Sequence, residues 1–150
     1  MKRIFLKGLA VCFLLVTDLY PSQAAEKAGT LLRKQNIQCK RLIHYATQLH
    51  TRKDIPTLVK IRRQFRQALS VMETENLRLR QLSVLASYSD YILSIDEGVR
   101  HMQDLAEEPM DDSNLEEIRS LCTFISSIDE QMLLSLDDKT VQVYQTAAVH

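Results

Sequence analysis

The sequence predicts an all-α fold, an antiparallel bundle of about four helices with a long central third helix. Three observations carry the prediction. Apolar residues recur at alternating spacings of three and four in four separate stretches, the spacing that puts them on one face of an α-helix. Glycine and proline, three of each in 150 residues, are too scarce for a turn-rich sheet protein. The connections near Arg52 to Asp54 and Pro109 to Ser113 are too short to cross the length of a bundle, so neighbours in the chain should run up, down, up and down.

Residues 1–24 read as a signal peptide to be removed. Lys2, Arg3 and Lys7 form a positive start, Ile4 to Val16 is mostly apolar but too short to span a bilayer, and Thr17 to Ala25 supplies a small and polar cleavage region. Ser22 and Ala24 satisfy the small-x-small rule, which places the cut after Ala24, with Ala25 as the next choice. An uncleaved anchor is the rival, but no charged stop-transfer pattern follows a long enough core. A cut after Ala24 takes Cys12 with the leader, leaving Cys39 and Cys122 and 126 residues, enough for one domain with its own core. No second apolar run of membrane-spanning length follows, so a periplasmic or secreted protein without a membrane span is expected.

In the first helix, expected from Glu26 to Arg52, Ala28, Leu32, Gln35, Cys39, Leu42, Ala46 and Leu49 make the seam, while Arg33, Lys34, Lys40 and Arg41 lie off it. Asp54 followed by Ile55 and Pro56 is a helix start, because a short acceptor side chain caps free N–H groups and proline fits the first turn. The second helix then buries Leu58, Ile61, Phe65, Ala68, Leu69 and Met72 and is expected to end between Met72 and Asn76, or to continue into the third with a bend.

The third stretch, Asn76 to Glu108, holds no proline and only Gly98, and would make one helix roughly 50 Å long at ~1.5 Å per residue. It has two rows: Leu77, Gln81, Val84, Tyr88, Tyr91, Ile95, Gly98, Met102 and Leu105 in one, and Leu82, Leu85, Ala86, Ile92, Leu93 and Val99 in the other. So wide an apolar surface predicts either a central position or a face offered to another chain. In the fourth helix Ser113 and Glu116 read as a capping box, and Leu115, Ile118, Leu121, Cys122, Ile125, Ile128, Met132, Leu133 and Leu136 as the core face. The bundle domain is thus expected over residues 25–136, with 137–150 an irregular tail or short extension.

Net charge is zero, but it is unevenly distributed. Ala25 to Arg80 carries thirteen Lys and Arg against four Asp and Glu, a balance of +9; Gln81 to His150 carries three against fourteen, a balance of −11. Either opposite charges flank the interhelical seams and set register, or the surface is bipolar and steers a partner or self-association. Nucleic-acid binding through Lys60, Arg62, Arg63 and Arg66 is disfavoured by export and by the lack of aromatics interleaved with the arginines.

For Cys39 and Cys122 in an oxidising compartment, a disulfide is the expectation, closing a loop of more than 80 residues; two buried free thiols are the alternative. His44, His50, His101 and His150 form no i, i+4 pair, no Glu-x-x-His spacing occurs, and phosphate-cradling loops are absent. No metal or cofactor is expected. Asp90, Glu97 and His101 share one helical stripe and are the candidates if the protein is an acid/base enzyme, although a solvated stripe does not raise a carboxyl pKa as general acid work needs.

The functional expectation is a non-enzymatic exported helical protein that binds a partner protein through Tyr88, Tyr91 and Ile95 and through Arg62, Arg63 and Arg66, with homo-oligomerisation possible. The arrangement is similar to small helical periplasmic accessories of secretion and conjugation systems, an analogy of architecture. The alternative is an inhibitor or immunity protein against a periplasmic toxin.

Overall fold

The computed structural model describes residues 21–147, with side chains from 23 to 138. It is an all-α bundle of four helices: α1 (Pro21–Thr51), α2 (Ile55–Arg80), α3 (Ser89–Leu105) and α4 (Asp112–Ala147), with a 3-10 segment, Ser83–Tyr88, between α2 and α3. None of the described helices is long and apolar enough to cross a membrane. Residues 1–20 of the expected signal peptide lie outside the described residues, and the expected cleavage point at Ala24 falls in the first turns of α1.

Each helix packs antiparallel on its neighbours in sequence, and α4 closes back on α1, which sets α1 and α3 at opposite corners. All seven seam residues of α1 are buried, Arg33, Lys34, Lys40 and Arg41 are exposed, and α1 makes the most extensive packing of any helix, against α4 and α2. This corrects the expectation that residues 76–108 form the centre. A continuous seam of seven residues, about six turns, on a 31-residue helix buries more than the 17-residue α3 can.

The start of α2 follows its sequence signal: Asp54 Oδ2 accepts from the Thr57 N–H at 3.2 Å with Pro56 in the first turn, and this hydrogen bonding holds the Asp54 carboxyl below the usual range. Its end does not. The helix runs on to Arg80, past the expected Met72–Asn76, so the long third helix is cut in two at Gln81 and Leu82. No local breaker stands there. Asn76, fully buried, donates from Nδ2 to the Ile92 carbonyl at 2.9 Å and to Asp96, while Arg80 Nη1 meets Asp96 Oδ2 at 2.8 Å. These bonds, between residues sixteen or twenty apart in sequence, fold α3 back along α2; a straight rod would carry Leu85, Ile92 and Ile95 away from the core that buries them.

The two apolar rows of the third stretch accordingly resolve into one buried face, with Leu77, Tyr91 and Leu93 outside. At α4 the cap is Asp111 rather than Ser113, since Asp111 Oδ1 accepts from the Asn114 N–H at 2.8 Å while Asn114 Nδ2 ties back to the Pro109 carbonyl at 2.9 Å. Glu116 turns instead to Arg119 at 3.5 Å. His50 fastens the end of α1 to the start of α4, with Nδ1 at 3.1 Å from the Met110 carbonyl and Nε2 at 3.3 Å from Asp112. Beyond Leu136 the backbone continues as helix to Ala147 rather than as an irregular tail.

Candidate functional site

Cys39 of α1 and Cys122 of α4 meet across the α1–α4 seam, both buried and close enough to hydrogen-bond. The expected disulfide is not formed in the structure, which holds both as free thiols. Cys122 also points its Sγ at Met102 Sδ of α3, 3.7 Å away. The neighbouring Cys39 sulfur and burial push the Cys122 thiol well above the ordinary range.

A polar layer continues from this pair. Gln35, one turn before Cys39, donates from Nε2 to Asn76 Oδ1 at 3.3 Å, which joins α1 to the Asn76 network of α2 and α3. Asp129, two turns beyond Cys122 on α4, is fully buried, and neither carboxyl oxygen has a hydrogen-bond partner. Gln35 Oε1 and Glu75 Oε2 are likewise unpartnered. All four atoms are acceptors when the acids are ionised, and what the layer lacks is a donor. Burial, with smaller effects from Cys39, Glu130 and Glu75, pushes Asp129 up to about 9, so at neutral pH it carries its proton. Burial raises Glu75 as well, opposed by Lys34 and Arg78. No group of three or more His, Cys, Asp or Glu side chains suited to a metal occurs among the described residues.

Glu75, Asn76 and Asp129 were not among the sequence candidates, yet a signal existed. Cys122, Ile125, Asp129, Met132 and Leu136 keep the three-four spacing through the acid, and Met72, Asn76 and Leu79 keep it through the amide.

The surface candidates do not form one patch. Ile95 is fully buried and cannot meet a partner; it faces inward because α3 has to present Ile92, Ile95, Val99 and Met102 together to the core. Tyr88 is half-buried and Tyr91 exposed, their rings 6.1 Å apart and tilted, at the N-terminal end of α3. Arg66 pairs with Glu107 at 2.6 Å and Arg62 reaches the Glu108 carbonyl at 3.5 Å, both at the far end of α3, roughly 24 Å along its axis. Arg63 stands exposed beside them. Asp90 and Glu97 are exposed, and His101 turns across to α4, its Nε2 2.6 Å from Glu117 Oε1, instead of pairing along its own stripe.

Between α2 and α3 runs a groove lined by Glu73, Leu77, Arg80, Asp96, Val99 and Arg100. Val99 forms its apolar floor and Leu77, 49% exposed, its apolar lip, with the Arg80–Asp96 ion pair inside. Comparison of the chain with protein-family models, with characterised proteins and with solved structures returned no match.

Proposed function

We propose that this chain is a non-enzymatic, exported helical protein that binds a partner protein, as an accessory of an envelope-spanning assembly. The observation that carries the reading is Leu77, an exposed leucine on the lip of a groove with an apolar floor and charges of both signs at its rim. Such a groove suits an amphipathic helix that seats one apolar side chain and answers the rim with its own charges. Export rests on the leader pattern of Lys2 to Ala24. In an oxidising compartment the facing thiols of Cys39 and Cys122 would close to a disulfide, giving two protons and two electrons to a disulfide acceptor, and the exported protein would then weigh two hydrogens less than its reduced form.

The test is a photoreactive amino acid in place of Leu77, irradiated in cells making the full chain. A single adduct heavier than the chain by one partner, diminished by Arg100→Glu, is the expected result. Absence of any adduct, or a smear of unrelated ones, would refute the reading.

A further inference from the structure

The charge asymmetry becomes a shape once α1 and α3 are at opposite corners. On α1, Ile37 is diametrically opposite the buried seam and 50% exposed, and Arg33, Lys40 and Arg41 surround it at −4, +3 and +4. None of these three bases has an ion-pair partner among the described residues, although ion pairs form elsewhere on the surface. On α3, Leu93 takes the corresponding outward position at 42% exposed, with Asp90 and Glu97 at −3 and +4 and Asp104 further along. Arg100 interrupts this stripe two turns on, where it borders the groove with Glu73 and Asp96. Each face has an exposed branched aliphatic residue at its centre and charges one turn away on either side, and the signs are opposite.

We propose that the α1 face around Ile37 docks on the α3 face around Leu93 of a second copy of this chain. Ile37 sits on Leu93, Arg33 and Lys40 or Arg41 meet Asp90 and Glu97, and like charges keep each face from pairing with itself. Because the two faces are at opposite corners, one copy can engage two others at once, so association is head-to-tail and continues beyond a dimer. A contact between single helices with charged margins is small, so it forms weakly and depends steeply on salt. It centres on Leu93 and shares only Arg100 with the α2–α3 groove; neither face variant changes Arg100, so either proposal can fail while the other stands.

Analytical ultracentrifugation of the protein recovered from cells making the full chain decides it. At low ionic strength the average mass should climb with concentration past that of a dimer, and raising salt toward 1 M should weaken association about tenfold or more. A basic-face variant, Arg33→Gln with Lys40→Gln and Arg41→Gln, and an acidic-face variant, Asp90→Asn with Glu97→Gln, should each remain monomeric with unchanged helix content. Mixed together, they should stop at a one-to-one complex, because each retains the face the other has lost. A monomer at every concentration in low salt, association untouched by either variant, or no complex in the mixture would each overturn the proposal.

Discussion

Two fully buried polar side chains, Asn76 and Asp129, are treated in opposite ways by the same bundle. Asn76 uses both ends of its amide: it accepts from Gln35, donates to the Ile92 carbonyl and to Asp96, and so ties α1, α2 and α3 together. Asp129 has no partner for either oxygen. An amide at a junction of three helices finds complementary groups in fixed directions, whereas a buried acid whose oxygens meet no donor stays neutral only by keeping its proton. The first arrangement stabilises the bundle and specifies its register; the second makes stability depend on pH.

The largest effect should come from breaking the satisfied side. Asn76→Ala leaves the Gln35 amide, the Ile92 carbonyl and Asp96 without their shared partner, and should cost about 2–4 kcal/mol in denaturant unfolding. It should also loosen the turn at Gln81–Leu82, seen as faster amide exchange from Ser83 to Ile92. A loss near zero would mean that the amide does not hold α3 in place.

Asp129 should respond with the opposite sign. Its folded carboxyl keeps its proton to about 9, while in the unfolded chain it ionises in the ordinary carboxylate range. Between those values the native state binds more protons than the unfolded one, so this group's contribution is fully present in acid and is lost as pH rises through the window, by at most about 1.4 kcal/mol per unit. Asp129→Asn removes the ionisation and nearly preserves the shape. It should match the parent near pH 4 and exceed it by roughly 1–3 kcal/mol at pH 8. Equal stability at both pH values would show that the carboxyl finds a partner after all.

The smallest effect tests packing beside this layer. A methyl group at Gly98 would lie 3.6 Å from Ile125 Cδ1 and 3.8 Å from Leu121 Cδ2, ordinary contact distances at the α3–α4 interface. Gly98→Ala should therefore add about 0.5–1 kcal/mol by removing backbone freedom from the unfolded chain. A loss instead would show that the added methyl group disturbs the packing of α3 on α4.

Much of this architecture is legible in the amino-acid pattern. The seam of α1 from Ala28 to Leu49 is buried as its spacing requires, as is that of α4 from Leu115 to Leu136 except for the half-buried Leu121 and Leu133, and Asp54 caps α2 as a short acceptor before proline should. The polar layer was harder to read because periodicity is ordinarily scored by counting apolar residues. Asp129 and Asn76 hold seam positions without being apolar, so they escape that count. The surface residues were harder still: Tyr91 and Ile95 are four apart on one helix, yet one is 49% exposed and the other fully buried. Exposure at a seam's margin depends on where the neighbouring helices end.

By itself the sequence determined that four amphipathic helices form, which face of α1 and of α4 is apolar, and that basic and acidic halves follow one another along the chain. The tertiary structure decided that Asn76 to Glu108 is broken after Arg80, that Cys39 and Cys122 face each other, and that the two charged halves become opposite sides of one molecule. Helix seams are local, set by a period of 3.6 residues and by side-chain polarity. The break is not local: no glycine or proline marks it, and it is held by hydrogen bonds between residues sixteen apart, which exist only once α3 has folded back on α2.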